Sequence, residues 1–313
     1  MSWLAQPWFL RLFIKPPLVP LLLAASCIEG FWSVGNLRIL IESVSVDGMI
    51  VAGLTIVMIA GGFDLSVGAV MAMGGVAAVV LLPYGLPLAV ALAICLGAST
   101  GLASGLLVTR GRINPFIATL AVMVIVRGAT LAYTGTRPVV GLDDHFLALG
   151  AGEPVPMAFL VLAGLLAVLH VVLTTRPWGR HIFAVGSDSR AATMAGLSTR
   201  RIQTTTYVIS GALAALAGVF LAARLGTGSP IVGEATPLIA AAAALIGGAT
   251  LKGGEGSISG SFSGLLFIGL LINVMNHLAV PSYYQHMCIG GLLIALVVSE
   301  GALIRLRSKV ATH

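Results

Sequence analysis

Long apolar runs alternate with short polar segments along almost the whole chain. Windows of mostly apolar residues lie near 14–30, 48–61, 66–83, 86–109, 115–134, 157–174, 206–223, 236–250, 258–277 and 287–304. A run of about 20 apolar residues is long enough to cross the hydrocarbon core of a bilayer as a helix. The pattern therefore predicts an all-α polytopic membrane protein with about ten transmembrane helices, forming a single transmembrane domain over residues 1–313.

Two of these windows, 48–61 and 236–250, are too short for a straight crossing. Each runs into a pair of glycines, Gly61-Gly62 or Gly247-Gly248. Non-helical backbone at membrane depth is tolerated where protein or a water-filled cavity covers it, and interrupted spans in corresponding halves are typical of transport pathways. We expect some spans to be short or broken. The stretches "IAGGFDLSVGAVMAMGG" and "LIGGATLKGGEGSISGS" are weakly similar, and a structural repeat and a chance similarity are both open interpretations.

Two series of glycines recur every four residues, at 97, 101 and 105 and again at 256, 260 and 264. Small residues at this spacing let helix backbones approach closely in lipid. We expect them to pack helices within one subunit, with a contact between two subunits as the alternative.

Composition supports the membrane assignment. Hydrophobic residues make up 58% of the chain, charged residues only 9%, and the mean hydropathy is +1.04. A soluble domain carries about 25% charged residues. The three cysteines all fall in apolar runs and are expected to pack as small side chains.

The basic residues predict the orientation of the chain in the membrane. With a cytoplasmic N-terminus, 13 of the 17 Lys and Arg residues lie at cytoplasmic ends or loops, and the other four are Arg38, Arg127, Arg137 and Arg224. Cytoplasmic loops of membrane proteins carry such an excess. We therefore expect both termini in the cytoplasm and no nucleic-acid partner. The N-terminal stretch, which superficially resembles a signal peptide, is expected to remain as the first membrane anchor.

The sequence contains no motif that would make the chain an enzyme. It has no phosphate-binding P-loop, HExxH, GxSxG or CxxC pattern, so we assign no catalytic residues, no metal ligands and no cofactor to it. Only Arg127 lies clearly inside a span among the ionisable residues, whereas proton-driven carriers tend to carry acidic and histidine relays there. A secondary carrier that works without an ATPase is the less favoured alternative.

Asp64 is an ionisable residue in the stretch "GGFDLSVGAVMAMGG". An unpaired charge in hydrocarbon costs about 2.5–3.5 kcal/mol on insertion scales. The topology puts Asp64 in the turn between the second and third spans, at or near the cytoplasmic side. There its carboxylate can cap the next helix, after a sharp turn supplied by Gly61 and Gly62. The alternative is that Asp64 lines a solute path or moves in gating.

The longest predicted cytoplasmic segment spans residues 175–205. Within it, "DSRAATMAGLS" predicts a short helix capped by Asp188 or Ser189 and ended by Gly196. A short helix that projects from a transporter is a natural docking element for a soluble partner. The alternative is a solvated loop whose arginines only fix the topology.

Several blocks, taken together and in order, resemble the ribose-type monosaccharide permeases of bacterial ATP-binding-cassette importers. The blocks are "GGFDLSVGAVMAMGG", "INPFIATLAVMVIVRGATLAYTG", "AVGSDSRAATMAGLSTRRI", "LIGGATLKGGEGSISGS" and "SYYQ". The resemblance implies a ten-helix subunit of the bacterial inner membrane that forms a homodimer or heterodimer. It implies a separate ATP-binding-cassette ATPase, which would bind ATP and Mg²⁺, and a periplasmic sugar-binding protein. A branched-chain amino-acid permease is the alternative within the same class of transporters.

The resemblance also assigns candidate residues. The segment that couples to the ATPase corresponds to Arg190, Ala191, Ala192, Gly196, Arg200 and Arg201. Many importers have Glu where this chain has Arg190, which puts the polar contact to the ATPase in doubt. The candidates for the translocation path or its gates are Asp64, Ser66, Asn114, Thr119, Arg127, Asn273 and Asn276.

Overall fold

The computed structural model describes residues 18–26, 28–151 and 155–310 of the chain. The helices in this part are α1 (Leu18–Ser26), α2 (Val34–Ile59), α3 (Val67–Leu81), α4 (Leu86–Thr109), α5 (Pro115–Thr134), α6 (Asp144–Ala151), α7 (Met157–Thr175), α8 (Pro177–Ser187), α9 (Ser189–Met194), α10 (Thr199–Leu225), α11 (Thr236–Ile246), α12 (Ile258–His277) and α13 (Ser282–Val310). A 3₁₀ turn, Leu82–Tyr84, extends α3. Two short strands, β1 (Val139–Val140) and β2 (Thr227–Gly228), pair antiparallel.

The all-α polytopic prediction is confirmed. Among the described residues, seven helical segments are long and apolar enough to cross a membrane: α2, α3 with its 3₁₀ turn, α4, α5, α7, α10 and α12. Helix α11 is apolar but has only 11 residues. The predicted first span, 14–30, lies partly outside the described residues, which include its helix α1.

The window 48–61 is not a short span, because α2 has 26 residues. The polar residues in its first half lower the local hydropathy, but the structure pairs two of the charged ones, Arg38 and Glu42. Glu42 accepts from Arg38 at 3.0 Å on its own helix and from Arg224, at the end of α10, at 3.1 Å. Ion pairing therefore lets the helix continue where hydropathy alone predicts that it ends.

Helix α10 runs through the centre of the bundle and packs against α2, α3 and α4. The glycines of α4 face it: a Cβ on Gly101 would meet the Tyr207 backbone, and one on Gly105 would lie 3.0 Å from Thr204 Cα. In the second series, Gly264 of α12 faces Ala243 of α11. Both series therefore pack helices within this chain, because only glycine leaves room for such close approach.

The C-terminus of α2 is closed by two glycines. The Gly61 N–H donates to the Met58 carbonyl, and the Gly62 N–H donates to the Val57 carbonyl, both at 2.9 Å. Gly61 has a φ of +79°, in the left-handed region that glycine adopts without strain. This arrangement is a Schellman motif, a common way to end a helix.

The C-terminus of α11 is closed by the same arrangement. The Gly248 N–H donates to Leu245 and the Ala249 N–H to Ala244, both at 2.9 Å, and Gly248 has a φ of +90°. The two turns are equivalent when Gly61 is aligned with Gly248. That register differs by one residue from an alignment of the two glycine pairs.

Candidate functional site

The segment between α2 and α3 enters the interior of the bundle. Residues 62–66 are non-helical, and within them Asp64 is completely buried, with 0% exposure. Asp64 contacts Ser210, which follows the first residue of α10, Thr199, by eleven positions, or roughly 16 Å at 1.5 Å per residue. The structure thus places Asp64 deeper than the topology argument did, because the chain stays non-helical for several residues after Gly61.

Three donors surround the Asp64 carboxylate. Its Oδ1 accepts from the Ser66 N–H at 3.0 Å and from the Ser66 hydroxyl at 2.6 Å. Its Oδ2 accepts from the Ser210 hydroxyl at 2.9 Å. Helix α3 begins at Val67, so Asp64 closes the turn just before the helix and also ties that turn to α10.

Side chains from neighbouring helices also satisfy the backbone of this segment. The Phe63 N–H lies 3.3 Å from the Tyr207 hydroxyl oxygen, and the Leu65 N–H donates to Thr119 Oγ1 at 3.1 Å. Buried backbone groups away from water need such partners. The candidates Asp64, Ser66 and Thr119 therefore belong to one hydrogen-bonded cluster, which we call the interior polar cluster together with Tyr207 and Ser210.

An aromatic pair lies beside this cluster. The rings of Phe63 and Phe116 stack, with centroids 4.4 Å apart and an interplanar angle of 16°. Phe63 is buried, whereas Phe116 is 46% exposed. Asn114 caps the helix that carries Phe116 and accepts from the Phe116 N–H at 2.9 Å. The candidate Asn114 thus helps to position an exposed ring next to the interior polar cluster.

Arg127 lies eleven residues after Phe116, or about three turns further along α5, and its hydrogen bonds are to backbone. One guanidinium nitrogen donates to the Pro230 carbonyl at 2.6 Å and to the Val232 carbonyl at 2.7 Å. Arg127 therefore holds the segment between β2 and α11 against α5.

Asn273 and Asn276 lie near the opposite end of the bundle, on α12. The amides of Asn273 and Asn36 donate to each other, both at 2.9 Å, which joins α12 to the start of α2. Asn276 accepts from Gln285 of α13 at 2.7 Å. The structure thus does not bring this pair together with Asp64.

The segment 175–205 is largely helical. Asp188 caps α9, and its Oδ1 accepts from the Arg190 N–H at 2.8 Å and the Ala191 N–H at 3.0 Å. Gly196, with a φ of +84°, follows the end of the helix. The predicted short helix, its cap and its end are therefore confirmed. The hydrogen bonds from Ala191 and Arg190 hold the pKa of the exposed Asp188 carboxyl below its ordinary value.

Helix α9 presents most of its surface outward. Arg190, Ala191 and Gly196 are exposed, whereas Ala192 is buried. Arg200 and Arg201 are exposed in the first turn of α10. All six candidate coupling residues thus lie in or beside one projecting segment.

Comparison with known proteins assigns the family. Residues 37–297 match the family model described as the permease component of branched-chain amino acid transport systems. The chain belongs to this permease family.

The curated relatives of this permease include sugar transporters. It is 39% identical to the ribose import permease protein of Bacillus subtilis, over 93% of this chain and 90% of the relative. It is 35% identical to the ribose import permease protein of Escherichia coli K12, over 90% of each chain. For the L-arabinose permease protein of the same strain the identity is 34%, over 87% of this chain and 84% of the relative.

No solved structure matches the chain significantly. The family assignment and the seven apolar helices of the described residues make this permease a multi-pass protein of the bacterial inner membrane.

Three polar residues of the site in this permease, all on α10, are not among the candidates that the sequence pattern indicates. Ser210 and Tyr207 belong to the interior polar cluster, and Gln203 Nε2 donates to the Ala60 carbonyl at the end of α2, at 3.1 Å. The three residues are spaced by four and three positions, which puts them on one helix face. Tyr207 and Ser210 begin the apolar part of α10, where polar groups at helical spacing were the signal that could have found them.

Proposed function

We propose that this chain is the membrane-spanning permease subunit of an ATP-driven sugar importer. The observation that carries the proposal is its membership of the permease family together with the ribose and arabinose permeases that match it over most of both chains. The subunit forms the translocation path, and a periplasmic sugar-binding protein supplies most of the specificity. Two permease subunits, identical or different, are needed to enclose the path.

In this proposal α9 is the element that couples the path to a cytoplasmic ATPase. The exposed surface of α9 and the adjacent arginines support this role, since a projecting helix is available to a soluble partner. The basic residues at this end of the bundle orient it toward the cytoplasm, with both termini on the same side. ATP and Mg²⁺ bind to the ATPase, and this chain carries out no hydrolysis.

The interior polar cluster serves the path in this proposal. A non-helical segment at membrane depth is a weak point of a helical bundle, and such breaks line transport pathways in other transporters. Asp64, Ser66 and Thr119 hold the segment in place. The exposed ring of Phe116 then faces the path, where it contacts the apolar face of a passing sugar.

The test is affinity purification from native membranes, followed by uptake measurements in proteoliposomes containing the ATPase and the binding protein. Ala191→Arg adds bulk to the exposed side of α9 and should abolish both co-purification of the ATPase and ATP-dependent sugar uptake. Ala184→Arg, at an exposed position of α8, is the matched control and should retain both. If the chain purifies without an ATPase and transports sugar without ATP, it is a secondary carrier instead.

The family description also names branched-chain amino acids, so uptake should be measured with both substrate classes. We expect ATP-dependent uptake of a pentose that excess leucine does not inhibit. Uptake of leucine without uptake of any sugar would assign the chain to amino-acid import.

A further inference from the structure

A large cavity opens at the end of the bundle that carries α9. It has a volume of about 1380 Å³ and lies between the end of α4, the start of α10 and α9. Cavities that hold small molecules usually measure about 300–1,000 Å³. This cavity therefore has room for a larger ligand than a single sugar.

Five arginines line the cavity, namely Arg110, Arg112, Arg190, Arg200 and Arg201. They come from three separate segments of the chain. Among the residues that the structure describes, none of the five forms an ion pair with a carboxylate. Asp188 interacts electrostatically with Arg190, but no acidic residue is among the described residues that line the cavity. The cavity thus carries an excess of positive charge, and such a site favours an anion.

The turn after α4 holds two of these arginines in a fixed position. Arg112 has a φ of +55°, in the left-handed region that costs energy for any residue other than glycine. Gly111 packs so closely that a Cβ there would lie 2.5 Å from the Leu107 carbonyl oxygen. A strained, tightly packed turn therefore keeps Arg110 and Arg112 at the cavity, rather than on a freely moving loop.

One wall of the cavity is apolar and extends along α4 and α10. It includes Leu102, Leu106 and Val208. Leu102 is 43% exposed and lies seven residues before the end of α4, or roughly 10 Å along the helix. The wall therefore runs from the arginines along the apolar part of α4 and α10, in the direction of the membrane interior.

We propose that this cavity binds an anionic phospholipid, with its phosphate beside Arg110 and Arg112 and an acyl chain against Leu102, Leu106 and Val208. Guanidinium groups bind phosphate oxygens in pairs of parallel hydrogen bonds, and basic cavities between membrane helices bind lipid headgroups. The inference does not depend on the cargo of the importer.

The test is native mass spectrometry of the full chain, released from nanodiscs that contain equal amounts of phosphatidylglycerol and phosphatidylcholine. We expect the wild-type chain to retain phosphatidylglycerol selectively. The double variant Arg110→Gln and Arg112→Gln should lower the retained phosphatidylglycerol about tenfold, because two charge-assisted contacts are lost. The double variant Arg176→Gln and Arg180→Gln removes the same charge from this end of the bundle outside the cavity and should retain it.

A second variant tests the cavity without changing a residue of the strained turn that contains Arg110 and Arg112. Thr205→Asp adds a negative charge at an exposed position that lines the cavity and leaves every arginine in place. It should also reduce retention of phosphatidylglycerol, and added inorganic phosphate should not displace the lipid from the wild-type chain.

Three results would overturn the proposal. One is equal retention of the two lipids by the wild-type chain, and another is displacement of the lipid by inorganic phosphate, which would indicate a site for a free anion. The third is a cavity variant that keeps its lipid but loses the ATPase or the second permease subunit. That result would assign the cavity to a protein contact. Transport of sugar is not a readout here, so failure of the importer proposal is measured separately.

Discussion

The two turns that follow α2 and α11 begin alike and then differ. Both close their helix with a Schellman motif, at Gly61 and at Gly248. After the first turn, side chains satisfy the backbone, with Asp64 as the central acceptor. After the second, glycines with positive φ carry the chain, and the Gly254 N–H donates directly to the Ile59 carbonyl at 2.8 Å. The backbone N–H and C=O groups of a non-helical segment inside a membrane protein can thus find hydrogen-bond partners either in polar side chains or in other backbone groups.

The two turns also contact each other and α8. A Cβ on Gly253 would lie 2.6 Å from Gly61 Cα. A Cβ on Gly186 of α8 would lie 2.6 Å from the Gly254 nitrogen and would also meet the Ile59 carbonyl oxygen. Because these backbones are in direct contact, none of the three segments can move toward the others without displacing them. Under the proposed function, a movement of α9 that is passed on to α8 would therefore act on both turns at once.

The largest expected loss of stability comes from disrupting the contact of Gly186 with the two turns, which we call the joint. Gly186→Ala leaves no space for the new methyl group against the backbone of both turns, and overpacking of this kind costs about 3 kcal/mol. We expect a marked loss of monodisperse protein in detergent and a lower Tm. Gly128→Ala, at a position with nothing within 4 Å of the new Cβ, is the control and should match the wild type. Equal Tm values for the two variants would contradict the packing described for the joint.

The next largest loss of stability is expected when the hydrogen bonds to the Asp64 side chain, in the turn after α2, are removed. Asp64→Ala leaves the Ser210 hydroxyl and the Ser66 N–H without their acceptor, which should destabilise the protein by about 2 kcal/mol. Asp64→Asn keeps an acceptor oxygen and should lose less stability, as measured by Tm in detergent. If the Asn variant folds normally but no longer transports, the carboxylate has a role in transport beyond holding the turn.

A smaller effect is expected when only the link to α10 is removed. Ser210→Ala deletes one of the three hydrogen bonds to Asp64 and should cost about 1 kcal/mol, in line with side-chain hydrogen bonds in membrane proteins. Tm in detergent is again the measurement, with transport as the second readout. A loss as large as that of Asp64→Ala would mean that Ser210 alone carries the site.

Features set by local sequence were predictable, whereas contacts between residues distant in sequence were not. Local pattern determines the seven apolar helices found in the described residues, the cap of α9 by Asp188 and the end of α2 at its glycine pair, so hydropathy and capping rules predict them. The predicted windows 236–250 and 287–304 are not among those seven helices. The extent of α2 was missed because Arg224, distant in sequence, pairs with Glu42. The partners of Asp64 were only half predictable, since Ser66 is local and Ser210 lies 146 positions away.

The smallest effect is expected at the exposed cap of α9, the helix proposed to contact the ATPase. The pKa of Asp188 is lowered in the folded protein, so its contribution to stability is complete above the ordinary carboxyl pKa, about 3.9, and is lost as the pH falls through the lowered value. Asp188→Ala should therefore weaken ATPase association equally at every pH between about 5 and 8. Co-purification across that range is the measurement, with Asp188→Asn as the control that keeps an acceptor. A defect that grows between pH 5 and 8 would point to another titrating group.

The distance in sequence between Asp64 and Ser210 has a consequence for biogenesis. A ribosome adds roughly 5–20 residues per second, so the 146 residues between them take roughly 7–30 s to synthesise. During that time the second and third spans are already made, while the hydroxyl that completes the carboxylate's partners does not yet exist. The nascent chain must keep this turn near water, or shielded by the insertion machinery, until α10 arrives and lets it settle into the bundle.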